Sequence, residues 1–428
     1  MSIPLDDHEL FHFYTNHLKN TLLPFWLRSV DWEDGGYFNA YDNSGTRLVS
    51  TDKFTWSQGR FVWIYAKLAS MGTDIFDQEE RQHFLKLAEH GAEFLMKHCL
   101  LENGSCTFLM DKRGNPKLAA AIDRYDSSIF ADCFVIAGLA KYAAVSGDRN
   151  SLHFAQRLYR SVIGRIKGGS YFTEPYPIPH GYKSHSIPMI LLNVTQELYE
   201  AEEEVLGVQT EKLKNNMLLY MDEICNHFMD EDFVLNEMIG TDNKRVDSLL
   251  GRYCNPGHTV EDMWFVIHAA LKLNRNSYIS KAVRTTTKML ELGWDQELGG
   301  IFLFVDREGG PPRGNKEGIE HTSMVKQIGQ NWDSKLWWPH SEALYTTRLI
   351  YKLTGDPELL AHYNRLHDYT FKTFPNPNRS VGEWIQIRSR SGEPINQVVA
   401  LPVKDPYHII RNVILIIELL ATNKVKTE

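Results

Sequence analysis

Six residues able to carry a proton or meet an anion, Arg60, His258, Glu261, Glu342, His408 and Arg411, fall where apolar helices are expected to begin. An imidazole that titrates near neutral pH can take a proton, and two of them near Arg and Glu could do acid–base work. An arginine between them could hold the oxyanion formed in passing. His258 sits in Asn255-Pro256-Gly257-His258-Thr259-Val260-Glu261-Asp262, where Thr259 and Asp262 have the spacing of a capping box. The positive end of the helix dipole disfavours an imidazolium there, so a neutral His258 is expected. His408 follows Asp405-Pro406, and Arg411, three residues on, shares its face.

Glu342 follows Trp337-Trp338-Pro339-His340-Ser341. Helix-start stabilisation alone would explain a carboxylate there, and hydrogen bonding to hydroxyls of a ligand is the functional alternative. Glu261 could orient His258 or bind a hydroxyl. Arg60 closes Lys53-Phe54-Thr55-Trp56-Ser57-Gln58-Gly59-Arg60, and a cation at a helix N-terminus is misplaced unless an anion faces it. Each residue also has a plain reading: a histidine that caps a helix or fills the core, an arginine solvated at the surface.

Six apolar helices must bring these groups together. They start about 60–80 residues apart, at Ser57, Ser127, Ser186, His258, Pro339 and Asp405, with Ser, Thr, Asp or Pro at each start. Amphipathic, more charged segments alternate with them, roughly at 6–27, 77–98, 149–167, 209–229, 275–291 and 357–373. A second repeat lies between each outer segment and the next apolar one. Asp31-Trp32-Glu33-Asp34-Gly35-Gly36-Tyr37-Phe38 matches Trp294-Asp295-Gln296-Glu297-Leu298-Gly299-Gly300-Ile301-Phe302, with weaker copies at 102–114 and 382–392. Alternating apolar residues closed by Asp-x-x-Gly predict short β-hairpins. The expected architecture is all-α: an (α/α)₆ barrel, or toroid, with short β-hairpins rimming the mouth on which the six residues converge. An irregular helical solenoid is the alternative. No linker or low-complexity run divides residues 1–428, so one domain is expected.

Composition narrows the function. The 428 residues are 43% hydrophobic and 23% charged with a net charge of −8, and no Lys/Arg-rich run favours nucleic acid or an anionic membrane. Aromatics at 12%, with ten Trp, suit a pocket that stacks the flat faces of sugars. Five scattered Cys without C-x-x-C point to a reducing, cytoplasmic setting. The opening Met1-Ser2-Ile3-Pro4-Leu5-Asp6-Asp7-His8 carries no secretion signal, and no apolar run reaches the roughly 18 residues of a membrane span. No H-E-x-x-H, Cys/His cluster or EF-hand loop is present, so no metal and no cofactor are expected. Gly309-Gly310-Pro311-Pro312-Arg313-Gly314-Asn315-Lys316 lacks the Walker spacing and reads as a loop.

Four stretches together resemble the N-acylglucosamine 2-epimerase family, whose mammalian members are also known as renin-binding proteins. They are Asp52-Lys53-Phe54-Thr55-Trp56-Ser57-Gln58-Gly59-Arg60-Phe61-Val62-Trp63, Asn255-Pro256-Gly257-His258-Thr259-Val260-Glu261, Lys335-Leu336-Trp337-Trp338-Pro339-His340-Ser341-Glu342-Ala343 and Tyr407-His408-Ile409-Ile410-Arg411. The resemblance spans nearly the whole chain and implies an (α/α)₆ barrel that moves the C2 proton of a sugar. It implies His258 and His408 as acid/base residues and Arg60 on the oxyanion side. Glu261, Glu342, Arg411, Trp338 and Trp56 would bind the substrate. The open-chain aldehyde would acidify the C2 proton, one histidine would remove it to give an enediolate, and the other would protonate the opposite face. The implied substrate is an N-acyl hexosamine (N-acetylglucosamine or N-acetylmannosamine) or a related aldose. A homodimer and a nucleotide effector are compatible with the resemblance, although no motif reports the latter.

The chain also departs from its relatives. Relatives acting on cellobiose or sulfoquinovose carry a further histidine where Pro188 stands here, so this position resembles the acylglucosamine branch. The Gly- and Lys-rich stretch that this branch has before its last histidine is replaced by Val398-Val399-Ala400-Leu401-Pro402-Val403-Lys404-Asp405-Pro406. Aldose–ketose isomerisation needs only a different destination for the proton. A glycoside hydrolase would instead use two carboxylates, Glu261 and Glu342.

Overall fold

The computed structural model describes residues 6–422. Met1–Leu5, part of the stretch read for a secretion signal, lies outside the described residues, as do 423–428. Among the described residues, six inner helices form a closed ring: Thr55–Ala69, Ile129–Ser146, Ser186–Leu206, Pro256–Lys272, Trp337–Thr354 and Tyr407–Ala421. Each packs on the next, and the last returns to the first, where Lys67 Nζ lies 2.8 Å from Glu418 Oε1. The amphipathic segments form the outer layer. In Arg149–Lys167 the side chain of Asp148 caps the backbone N–H groups of Asn150 and Ser151, and Leu152, Ala155, Leu158, Tyr159 and Val162 bury one stripe against the ring. The fold is the (α/α)₆ barrel expected.

Sequence also determines which end is the mouth. The second and fifth inner helices end in left-handed glycines, Gly147 (φ 78°) and Gly355 (φ 70°), and Asp148 and Asp356 cap the outer helices that follow at once. These tight turns close one end, so the long connections, and the first turns of all six inner helices, gather at the other. Two glycines bring the first two inner helices together backbone to backbone. A Cβ on Gly59 would lie 2.2 Å from Phe134 O, and one on Gly138 would lie 2.4 Å from Gly59 O. That contact holds Arg60 against Phe134.

The repeat in the connections has a structural purpose. Lys53 Nζ reaches Asp31 Oδ2 at 2.7 Å and Gly35 O at 2.6 Å, and Lys335 Nζ reaches Asp295 Oδ2 at 3.1 Å and Gly300 O at 3.3 Å. Each buried lysine thus ties the turn of one hairpin to the strand that enters an inner helix. The hairpins themselves close on single bridges, such as Val30 with Tyr37 and Trp294 with Ile301. The longer pairings run between successive connections: Lys53–Phe54 with Leu109–Met110, and Lys335–Leu336 with Ile387–Arg388. The β-structure therefore stitches neighbours around the mouth as well as folding each loop.

Several expectations need correction. The first and fifth inner helices start at Thr55 and Trp337, which puts Arg60 and Glu342 in second turns. The cap of the fourth is Asn255, whose side chain accepts from His258 N at 3.2 Å, and no Thr259–Asp262 box forms. Ile129–Ser146 is long and apolar enough to cross a membrane, against expectation, but 78% of it is buried in the ring it helps to build. The helix Ser323–Asn331, inside the connection that precedes the fifth inner helix, was not foreseen. It lacks a run long enough to show the helical period.

Candidate active site

The mouth opens into a cavity of about 250 Å³ whose lining includes Arg60, Glu237, His258, Glu261, Asp405, His408 and Arg411. The sequence placed Arg60, His258, His408, Glu261 and Arg411 at one mouth, and the ring brings them to one cavity. Trp56 and Trp338 also line it. The Trp338 ring neighbours both histidines, with its centroid 5.2 Å from that of His258 and 5.6 Å from that of His408.

Each histidine leans on a buried carboxylate. His408 Nδ1 is 2.6 Å from Glu342 Oε1, and His258 Nδ1 is 3.0 Å from Glu237 Oε2. An ionised carboxylate can only accept, so both Nδ1 atoms carry hydrogen and Nε2 is the atom left for chemistry. Burial raises the cost of the Glu342 anion, but Arg411 and His408 outweigh it and hold that carboxyl at about 2. Burial likewise opposes the Glu237 anion, and His258 and His185 bring it to about 2. For His258, burial works against the imidazolium, yet Glu237 and Glu261 prevail and its pKa is raised. A carboxylate 21 residues away in sequence thus shifts His258 in the direction opposite to the one expected from the helix dipole.

Arg60 faces a permanent anion, as its position required. Its Nη1 is 3.0 Å from Asp405 Oδ1, and its Nη2 is 3.4 Å from His408 Nε2. The guanidinium carbon sits 4.1 Å from the Phe134 ring centroid and 4.9 Å from that of Trp56. Arg60 Nε is buried without a partner. Asp405 also accepts from His408 N at 3.2 Å, so it caps the sixth inner helix and anchors Arg60 together.

Glu342 is not where a substrate-binding group would be. It is fully buried, and its oxygens are engaged by His408, by Arg411 Nη2 at 2.6 Å and by Trp264 Nε1 at 2.9 Å. It orients His408 from behind. Arg411 Nη2 also donates to Glu261 Oε1. Ligand atoms of Glu261, Glu342 and His408 lie within 4.8 Å of one another, a grouping that sequence spacing could not show because three helices supply it. A divalent ion could bridge such a set, but the Arg411 guanidinium already bonds both carboxylates. The same pairing leaves Glu342 unable to serve as one of two substrate-facing carboxylates of a hydrolase.

Sequence reasoning missed Glu237 and the anchoring role of Asp405, and it passed over His185 and Asp262, which lie behind Glu237. Asp405 left a trace, as the capping residue three positions before His408; Glu237 left none, because it stands in an irregular connection. Of the two departures, the stretch 398–406 does border the cavity, through Val399, Ala400, Leu401, Val403 and Asp405. The third inner helix presents Met189, Ile190 and Asn193 to it, while the lining does not include Pro188. One wall is apolar, built from Tyr176, Met238, Leu303, Phe304, Met324 and Val399. Within it Gln327 is buried and its Nε2 has no hydrogen-bond partner.

Residues 36–412 match the family model of N-acylglucosamine 2-epimerase (GlcNAc 2-epimerase). The chain is 29% identical over 399 residues to the N-acylglucosamine 2-epimerase of Bos taurus, covering 91% of this chain and 86% of that one. It is 21% identical over 414 residues to the cellobiose 2-epimerase of Dictyoglomus turgidum, covering 92% and 94%. The cellobiose 2-epimerase structure from Bacillus thermoamylovorans superposes with a TM-score of 0.75 at 18% identity, covering 96% of this chain and 99% of that one.

Proposed function

The chain belongs to the N-acylglucosamine 2-epimerase family and is a sugar 2-epimerase, and we propose that it inverts C2 of an N-acyl hexosamine through His258 and His408. The observation that carries this reading is the pair of imidazoles lining one cavity, each with Nδ1 fixed on a buried carboxylate so that Nε2 is the atom without a carboxylate partner, and each beside Trp338.

In the proposed reaction the sugar ring opens and the C1 aldehyde acidifies the C2 hydrogen. One Nε2 takes that proton, and the electron pair of the C2–H bond moves to give an enolate at C1–C2 (an enediolate where C2 bears a hydroxyl). Arg60 meets the oxygen at C1, where negative charge develops. The other imidazolium delivers a proton to the opposite face of C2, and the aldehyde re-forms. Trp338 provides a flat apolar face for the chain of carbons between the two rings. The apolar wall with the unpaired amide of Gln327 supports an acyl substituent, since a buried donor among apolar side chains favours a carbonyl attached to an apolar group.

The test is a proton NMR time course with N-acetylglucosamine, N-acetylmannosamine, glucose, mannose, fructose and cellobiose. Interconversion of the two N-acetyl hexosamines at the highest kcat/KM supports the reading. Preference for an unsubstituted aldose, or accumulation of a ketose, contradicts it.

A further inference from the structure

Both histidines follow one plan, in which a carboxylate behind the imidazole is backed by a cation, but the two cations differ. Behind His408 stand Glu342 and then Arg411, which keeps its charge at any working pH. Behind His258 stands Glu237, and behind Glu237 stands His185. We propose that His185 is a positioning residue: a buried imidazolium, held by Asp262, that fixes the charge behind Glu237 and so sets how tightly His258 holds its proton. The proposal rests on the reading of His258 as an acid/base group.

The geometry supports a charged His185. It is fully buried, its Nε2 lies 2.8 Å from Asp262 Oδ2, and its Nδ1 lies 3.8 Å from Glu237 Oε1. That Nδ1 and that Oε1 are both buried without a hydrogen-bond partner. A neutral ring would point a lone pair at a carboxylate oxygen, whereas a protonated ring points N–H at it. The backbone fixes the same pair, because His185 N donates to Glu237 O at 2.9 Å. The polar groups facing His185 are Asp262 and His258 from the fourth inner helix and Glu237 from the preceding connection. From the outer layer comes the Phe228 ring at 5.8 Å, while Cys225 on the same segment acts on Asp262, its thiol pushed up to about 12 by burial and by that carboxylate. Burial disfavours the His185 cation, but Asp262 first and Glu237 second outweigh it and raise the pKa to about 9. Glu261 faces His258 from the cavity side.

A positive His185 weakens the pull of Glu237 on the His258 proton. Removing that charge should make His258 hold its proton more tightly. In His185→Gln and in His185→Asn, neutral in either case, the titration of the His258 ring in ¹H–¹⁵N spectra should move up by about one unit, the low end of what a nearby unit charge does. The limb of the kcat/KM profile set by His258 should move with it in both directions, as the acid limb for the epimer it deprotonates and the alkaline limb for the epimer it protonates, while the limb set by His408 should not. A role in packing alone would lower activity in both directions and leave the His258 titration where it was. In the unaltered enzyme, the His185 ring should show both nitrogens protonated at pH 7. A neutral His185 ring there, or an unmoved His258 titration in the folded variants, overturns the proposal. Full activity in His258→Asn would instead overturn the reading on which it rests.

Discussion

Arg60 Nη2 lies 3.4 Å from His408 Nε2. A guanidinium has only donors, so the imidazole nitrogen that faces it presents its lone pair. In the proposed reaction the oxyanion donor and one proton acceptor therefore stand side by side, so that a carbonyl next to an acidic carbon can meet both at once. His258, also beside the Trp338 ring, is proposed to serve the other face. Four expectations follow before the central one.

His258→Asn and His408→Asn should each lower turnover by about 10²-fold or more while the protein stays folded, the scale of a lost acid or base. Each variant keeps one imidazole, so each should still exchange the C2 hydrogen of one epimer with solvent, and the two variants should exchange opposite epimers. Circular dichroism and deuterium exchange into each isolated epimer check this. Near-normal turnover in either variant contradicts the assignment.

Arg60→Lys should depress kcat more than it raises KM. Lysine keeps the charge but loses the fork that spans Asp405 and His408, and the interaction lost is the one made as charge develops on oxygen. Steady-state kinetics decide it, and an effect on KM alone counts against the role.

Glu237 and Glu342, each held at about 2 against an ordinary 4.5, link stability to pH. Carboxyls depressed in the folded state contribute stability that is complete above about pH 4.5 and fades as pH falls toward 2. The melting temperature should fall through that window, and in Glu342→Gln it should fall less steeply. An equally steep fall in the variant would show that Glu342 is not one of the linked groups.

Gln327→Leu should raise KM for the N-acetyl hexosamine several-fold and leave that for an unsubstituted aldose unchanged. A loss of one hydrogen bond to a neutral acceptor, about 0.5–1.5 kcal/mol, is the size expected. Equal effects on both sugars would remove Gln327 from acyl recognition.

What the sequence revealed and what it hid divide along one physical line. The inner and outer helices, the barrel they close and the residues in or just behind the first turns of the inner helices were legible. Each has a local signature: a cap, an apolar face, a repeat of Asp, Gly-Gly and an aromatic or aliphatic residue. Arg60, His258, His408, Glu261 and Arg411 were found in this way. The groups that tune them were not. Glu237 and His185 meet His258 only because neighbouring connections pair edge to edge, Tyr182–Ser184 with Met238–Gly240. Glu342 was found but misplaced, because a helix that starts at Trp337 turns its carboxylate behind His408. Non-local pairing carries no periodicity, so charges set by it stay hidden until the chain is folded.

The central claim is proton transfer at C2 by two different imidazoles. It is tested most directly by following an N-acetyl hexosamine in D₂O, with EDTA present, by NMR before equilibrium is reached. The account predicts deuterium at C2 of the epimerised product, while remaining substrate keeps its hydrogen, because the proton removed by one imidazole is not the one returned by the other. Product that retains the original C2 hydrogen, or activity abolished by EDTA and restored by a divalent metal, would contradict it.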